Sequence, residues 1–175
     1  MDMSTGTDGV AARMAPHPAI PAAGDFLALH LGGAEYGIAA AHVRELRSWE
    51  PPTPVAGTPP CVRGVVNLRG AIVPIVDLRL RLGCVRAVVD ACSVVVVLDL
   101  RGRIVGAVVD AVSEVVRVGR IRVAAMVPRD GNVDGVGFVD DDDSTGGAGR
   151  ELLLLDLGGL LQAAGSDAHG LLAAR

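Results

Sequence analysis

A partial internal duplication constrains the fold of this chain more than any other feature. Within the segment 62–82 (VRGVVNLRGAIVPIVDLRLRL), the part from residue 72 onward lines up with residues 151–161. In both copies an apolar run ends at an Asp-Leu pair, Asp77-Leu78 or Asp156-Leu157, and a leucine follows four residues after that Leu. The start of the segment, Gly64-Val65-Val66, has a fainter counterpart in Gly135-Val136-Gly137.

A second pair of segments supports the duplication. Residues 37–45 (GIAAAHVRE) match residues 106–114 (GAVVDAVSE), with Gly, Val and Glu at identical spacing and in the same order relative to the first match. Two co-linear matches predict two related modules, about 26–83 and 93–162. The alternative is that short strings of Val, Ala and Leu match by chance in so apolar a chain.

Composition and pattern favour strands over helices. Half of the residues are apolar, yet only four are aromatic, so Val, Leu, Ile and Ala must build the core. Abundant β-branched side chains are typical of pleated sheets. Three segments, Ile72–Val76, Val94–Leu98 and Leu152–Leu155, are apolar at every position, which indicates a strand covered on both faces. We therefore expect a mainly β fold in which two small barrels pack face to face.

The chain can be divided into elements on the same basis. Gly-rich turns and β-branched runs predict strands at Phe26–Leu31, Tyr36–Ala39, Arg63–Asn67, Ile72–Val76, Val94–Leu98, Arg103–Val109, Glu114–Val118, Gly135–Val139 and Leu152–Leu155. Pro74 predicts an edge or a bulge within its strand. A short helix is expected at Ala40–Leu46, and Asp77 and Asp156 are expected to cap two more.

The remaining segments read as connections and tails. Prolines make residues 51–60 an extended connector. Residues 1–24 and 163–175 are predicted to be tails flanking a domain at 25–162, the first of them disordered because it is rich in Gly, Ala and Pro without periodicity. The acidic, glycine-rich stretch Asp140–Gly149 is predicted to be an exposed loop.

Several classes of function find no support in the sequence. The net charge of −4 and scattered arginines leave no basic stripe for nucleic acid. Apolar runs are far shorter than the about 20 residues that cross a membrane, and the first residues do not resemble a signal peptide. Three cysteines without C-x-x-C spacing predict neither zinc nor a disulfide framework. We expect a cytoplasmic protein without metal or cofactor.

Catalysis is not predicted either. His30 lies in an apolar strand and is expected to be a buried core histidine rather than a base. The acidic run Asp140–Asp143 lacks the glutamate that ends a calcium-binding EF-hand loop. No glycine-rich loop leads from a strand to a helix with the spacing of a phosphate site.

The string Gly64…Asn67-Leu68-Arg69-Gly70…Val73-Pro74…Asp77-Leu78-Arg79 resembles the CheW family, the adaptor proteins of bacterial chemotaxis. The resemblance extends over about 26–162. It implies two intertwined five-stranded SH3-like β-barrels with short helices. It also implies a non-catalytic adaptor that couples the cytoplasmic tips of methyl-accepting chemoreceptors to the regulatory domain of the histidine kinase CheA, in arrays associated with the membrane.

The resemblance also implies which residues meet the partners. Positions facing the receptor correspond to Val43, Glu45, Gly64, Arg69 and Val94, and positions coupled to the kinase correspond to Gly106 and Gly135. We hypothesise that Glu45 forms an ion pair with Arg69 at a hairpin tip. The alternatives are a solvated turn arginine at Arg69 and a strand bulge at Gly64.

Two further functions stay open. The adaptor could serve a specialised chemosensory pathway, for pili or development, instead of swimming. From another class, strands that are apolar at every position would also suit a barrel that holds a small apolar molecule between its modules.

Overall fold

The computed structural model describes residues 23–85, 87–122, 133–139 and 150–161. The described residues contain ten strands: β1 (Gly24–Leu31), β2 (Ala34–Ala39), β3 (Val43–Ser48), β4 (Val62–Leu68), β5 (Ala71–Asp77), β6 (Val94–Leu100), β7 (Arg103–Val109), β8 (Ala111–Arg122), β9 (Val133–Val139) and β10 (Glu151–Leu155). A 3-10 turn at Ala40–His42, the helix α1 (Leu78–Arg81) and helical residues 157–161 complete the secondary structure.

The strands form two sheets of five. The first sheet is a closed barrel in the order β1-β2-β10-β9-β8, and the second sheet has the order β3-β6-β7-β5-β4. Each sheet therefore combines a hairpin from one half of the chain with three strands from the other half. The predicted mainly β fold with two intertwined units is confirmed.

The duplicated segments occupy equivalent positions in the two sheets. In the second sheet, Ile75 of β5 pairs with Gly64 on one side and with Gly106, on the parallel strand β7, on the other. In the first sheet, Leu154 of β10 pairs with Gly135 on one side and with Gly37, on the parallel strand β2, on the other. The matched glycines thus flank the matched apolar strand in both sheets, as a true repeat requires.

Alternation along the strands divides the apolar side chains among three cores. On β1, Phe26 and Ala28 point into the first barrel, whereas Leu27 and Leu29 point into a central core. On β6, Val95 and Val97 face the core of the second sheet, while the alternate residues join the central core. The central core receives side chains from both sheets, so the two units pack face to face as predicted.

The strands that are apolar at every position are largely buried, and one of their residues is exposed. Val95–Leu98 and Val73–Val76 are buried, as the pattern predicted, but Ile72 at the start of its run is 48% exposed. Ile72 lies next to the hairpin tip, beyond the contact between the sheets, where no second layer covers that face.

Two local predictions were wrong. Ala40–Leu46 is not a helix: only Ala40–His42 form a 3-10 turn, and Val43 begins β3, whose backbone pairs with β6. Pairing with a neighbouring strand outweighs the helical spacing of a short segment. His30 is exposed rather than buried: it lies one residue before the end of β1, close to the Gly32-Gly33 turn, and its Nε2 lies 3.0 Å from Ser113 Oγ.

Other expectations hold or fall outside the described part. Tight hairpin turns form at Arg69-Gly70 and Arg101-Gly102, and Pro74 lies just before the paired part of the β5–β7 ladder. Most of the first predicted tail, all of the second, and the loop Asp140–Gly149 lie outside the described residues. Among the described residues, no helix combines the length and apolar character needed to cross a membrane.

Gly106 offers a test of this packing. A Cβ at Gly106 would lie 2.4 Å from Ile75 Cδ1 and 3.0 Å from Val95 Cγ1. Gly106→Val should therefore overpack the second sheet and lower the free energy of unfolding in urea by about 1–3 kcal/mol. Ser48→Val, at an exposed strand position, is the control. A change below about 0.5 kcal/mol for Gly106→Val would contradict the packing described.

Candidate functional site

The hairpin between β4 and β5 presents an arginine to solvent. Arg69 and Gly70 both have positive φ angles, 51° and 87°, which is typical of the type I′ turn that suits a two-residue hairpin. Asn67 Oδ1 accepts a hydrogen bond from the Gly70 amide at 2.8 Å and stabilises the turn. The Arg69 side chain is 86% exposed. A charged side chain at such a tip is free to meet another molecule.

The hypothesised ion pair is present. Arg69 Nη2 donates to Glu45 Oε2 at 2.9 Å, and Arg47 Nη1 lies 3.6 Å from Glu45 Oε1. Glu45 and Arg47 lie on β3, one outer strand of the second sheet, and Arg69 follows β4, the other outer strand. The pair therefore joins the two edges of a curled sheet. We call Glu45, Arg47 and Arg69 the Glu45 rim.

The first sheet carries a related ion pair. Glu114, which matches Glu45 in the duplication, accepts from Arg150 Nη1 at 2.6 Å, and Arg150 immediately precedes β10. Arg150 also donates to Glu35, and this hydrogen bond lowers the pKa of the Glu35 carboxyl. A glutamate–arginine pair at one end of each sheet is thus part of the repeated architecture. Arg69 differs from Arg150 in exposure, 86% against 33% for the side chain.

Not all of the predicted receptor-facing residues come together. Val43 begins β3, two residues before Glu45, and packs against the central core. Val94 lies at the far end of β6, where it pairs with Ser48. The structure therefore groups Val43, Glu45 and Arg69 at one end of the second sheet and leaves Val94 at the other.

Gly64 is covered by the chain's own connector. It is buried, has a φ of 142°, and a Cβ there would lie 2.3 Å from the Thr53 carbonyl oxygen. Thr53 exchanges two backbone hydrogen bonds of 2.9 Å with Val65, which fixes the connector against β4. The register also shifts between Val62 and Gly64, as the bulge alternative predicted. Only glycine lets the connector approach β4 this closely.

The two glycines expected to couple to the kinase lie on different sheets. Gly106 is buried in β7 among Ile75 and Val95, so no partner can touch it without entering the core. Gly135 lies on β9 and pairs with Leu154. Any effect of Gly106 on a partner must therefore pass through the shape of the second sheet.

A buried charge network was missed in the sequence. Arg79, only 2% exposed, donates from Nε and Nη2 to the two oxygens of Asp77, at 3.0 and 2.9 Å. Arg63 reaches the same carboxylate from β4, at 2.8 Å. Asp77 also accepts from the Arg79 amide at 3.1 Å, so it caps α1 as predicted. We call Arg63, Asp77, Arg79 and Asp110 the Arg79 network.

The Arg79 network connects the two sheets. Arg79 Nη1 donates to Asp110 Oδ1 at 2.6 Å, and Asp110 Oδ2 accepts from the Gly32 amide of the β1–β2 turn at 2.7 Å. Arg79 and Arg63 also donate to the carbonyl oxygens of Val88 and Ala87, which holds the segment between β5 and β6. A sequence signal existed: arginines within strongly apolar segments must find partners when they are buried.

The network shifts the pKa values of its members. Burial alone would raise the pKa of Asp77, but hydrogen bonds from Arg79 and Arg63 outweigh it and hold that pKa below its ordinary value. The hydrogen bond to Asp77 likewise raises the pKa of Arg79, against the effect of burial. Both groups are charged at neutral pH and compensate each other. Within the described segments, no group of His, Cys, Asp and Glu side chains is arranged to hold a metal ion.

Comparison with known proteins assigns the chain to a family. A family model described as "CheW-like domain" matches residues 25–165. The chain belongs to the CheW family. Among curated relatives, the chemotaxis protein CheW of Klebsiella aerogenes is 46% identical over 91 residues, which cover 52% of this chain and 55% of that protein. The chemotaxis protein CheW of Rhizobium meliloti is 42% identical over 94 residues, covering 54% of this chain and 61% of that protein.

A solved structure agrees with this assignment. The crystal structure of the scaffolding protein TtCheW from Thermoanaerobacter tengcongensis matches with a TM-score of 0.68 and 25% sequence identity. The match covers 79% of this chain and 92% of the other. In sequence, by contrast, the chain spans little more than half the length of the curated CheW relatives it matches.

The lowered pKa of Asp77 predicts a dependence of stability on acid. Its folded pKa lies below the unfolded value of about 3.9, so the carboxylate stabilises the fold above that pH and loses its contribution as pH falls through the folded pKa. Between about pH 6 and about pH 2, the wild type should lose more free energy of unfolding than Asp77→Asn. Asp25→Asn, the same substitution at an exposed aspartate, is the control. Identical profiles for Asp77→Asn and the wild type would contradict the assignment.

Proposed function

We propose that this CheW-family chain is a non-catalytic chemotaxis adaptor that couples chemoreceptor tips to the regulatory domain of the kinase CheA. The observation that carries the proposal is the CheW-like match over residues 25–165, together with the two intertwined five-stranded sheets. The family is one of scaffolding adaptors rather than enzymes. We take residues 25–162 as the functional domain, acting in the cytoplasm at receptor arrays.

The Glu45 rim supports a receptor contact at one end of the second sheet. Arg69 projects from a rigid type I′ turn, and Glu45 restricts its side chain by a 2.9 Å hydrogen bond. Two apolar side chains in this part of the second sheet are also exposed: Leu46, the residue after Glu45 on β3, at 49%, and Ile72, near the start of β5, at 48%. Arginine is among the residues enriched in binding hot spots. We assign Val43, Glu45 and Arg69 to this contact.

The other predicted residues take indirect roles in the proposal. Gly64 acts by allowing the connector to lie against β4, since Thr53 occupies the space beside it. Val94 lies at the opposite end of β6, away from the Glu45 rim, so it does not contact a partner bound at the rim. Gly106 sets how closely β7 packs beside β5, and Gly135 lies opposite β10 on β9. Through these strands the two glycines determine the shape of the surfaces offered to the kinase.

The rival functions differ in what supports them. The space between the sheets, where a small-molecule carrier would need its pocket, is filled by buried side chains of the central core, Leu29, Val96 and Leu98 among them. An adaptor of a specialised pathway, for pili or development, would use the same fold and rim. Its partners would differ, so binding measurements with defined receptors and kinases separate the two.

Substitution of Arg69 tests the receptor contact. Arg69→Ala should weaken binding to a soluble receptor cytoplasmic fragment at least tenfold, a loss of about 1.4 kcal/mol, measured by calorimetry. The free energy of unfolding should change by no more than about 1 kcal/mol, because the ion pair with Glu45 is largely exposed. Arg117→Ala is the matched control: Arg117 forms an exposed ion pair with Asp25 at 3.2 Å on the first sheet.

Two outcomes would contradict the proposal at different levels. Equal binding losses for Arg69→Ala and Arg117→Ala would remove the Glu45 rim as the receptor contact. Failure of the wild-type chain to bind both the receptor fragment and the CheA regulatory domain, with Kd weaker than about 1 mM for each, would refute the adaptor function itself.

A further inference from the structure

Among the described strands, two connections lead from one sheet to the other. The turn Ala40–His42 leads from β2 in the first sheet to β3 in the second, and Asp110 alone separates β7 in the second sheet from β8 in the first. The N-terminal hairpin β1–β2 therefore completes a barrel made of strands from the other half of the chain. Its connection to its own half is a single three-residue turn.

That turn contains little that would resist opening. None of its three residues is buried, and no side chain caps it. The backbone is already extended on both sides, with Ala39 at ψ 122° and Val43 at ψ 122°. The interactions within reach are one hydrogen bond from the Val43 amide to the Ala40 carbonyl and a 3.3 Å approach of His42 Nδ1 to the Asp99 carbonyl oxygen.

The hairpin itself is held by many interactions, all of which could be made with another molecule. β1 pairs with β8 from Gly24 to His30, and β2 pairs in parallel with β10 at Tyr36 and Gly37. Phe26 fills the first barrel, and Leu29 enters the central core. A second copy of this chain offers the same β8, β10 and core to an incoming hairpin.

We propose that β1–β2 is an exchangeable hairpin and that two copies of this chain form a reciprocal dimer by opening the turn at residues 40–42. Both hairpins keep every strand pairing they have in the monomer, and only the two turns change conformation. The monomer is favoured at low protein concentration because its hairpin is tethered nearby. Refolding at high concentration favours the dimer, as for other exchanges of an identical element. This inference does not rest on the adaptor function.

Disulfide trapping between two full-length chains tests the exchange. Asp25 and Arg117 are register partners on β1 and β8, and both are exposed. One chain carries Asp25→Cys and the other Arg117→Cys, so a disulfide between positions 25 and 117 must join two molecules. The chains are unfolded together in urea with reductant, refolded over a range of concentrations, oxidised, and the linked peptides identified by mass spectrometry. The control pairs Asp25→Cys with Arg101→Cys, at an exposed turn of the second sheet.

We expect the link between positions 25 and 117 to increase with refolding concentration and to exceed the control link several-fold, in a species of dimer size. Monomers at every concentration, or a link no more abundant than the control, would overturn the proposal.

The turn can be tested in the same assay. Ala41→Pro should raise the dimer fraction several-fold, because a residue before proline is disfavoured in the helical conformation that Ala40 adopts in the turn. Ala41→Gly loosens the turn without excluding that conformation and is the matched control. A dimer fraction in Ala41→Pro equal to that of the wild type would overturn the placement of the hinge.

Discussion

Arg79 brings a full positive charge into the protein interior, and the way this charge is compensated connects the main parts of the fold. Asp77 neutralises it from the end of β5, and Asp110 continues the network to the amide of Gly32 in the first sheet. An uncompensated buried charge is very costly, so none of these groups can move independently of the others. The network therefore adds a directional constraint to a central core of Val, Leu and Ile, whose apolar contacts specify no unique orientation.

This constraint bears on the proposed coupling function. An adaptor that links two large partners must hold its docking surfaces at a fixed separation, and a body of two sheets sharing one core satisfies that requirement. The repeat supplies a glutamate–arginine pair to each sheet, but the pair at Glu45 and Arg69 is far more open to solvent than the one at Arg150. Duplication thus produced two similar ends, of which one presents its arginine to solvent.

Much of the fold could be predicted from local pattern. β-branched runs located the strands, and glycines marked tight turns between them, as at Gly70 and Gly102. The order of strands within each sheet could not be predicted from local pattern, because the same local sequence allows two repeats to complete their own sheets or to exchange hairpins. The prediction of a helix at Ala40–Leu46 was wrong because the spacing of its apolar residues fits a helix or a strand. Only the pairing of β3 with β6 determines that residues from Val43 onward form a strand.

The site was predictable to a similar degree. The pairing of Glu45 with Arg69 was anticipated, but the burial of Gly106 and the covering of Gly64 by Thr53 were not. Both depend on contacts between segments that are distant in the chain, and sequence spacing carries no information on such distances. The Arg79 network was not predicted for the same reason, since Asp110 lies 31 residues from Arg79 in the chain.

The unfolding equilibrium of Arg79→Met measures most directly whether the charge network holds the two sheets as one body. Methionine keeps much of the side-chain volume but leaves Asp77 and Asp110 without their shared partner. We predict that the free energy of unfolding falls by about 3–5 kcal/mol relative to the wild type in urea titrations at neutral pH. A loss below about 1 kcal/mol would contradict it, because such a value is typical of exposed ion pairs and would mean that Arg79 does not constrain the fold.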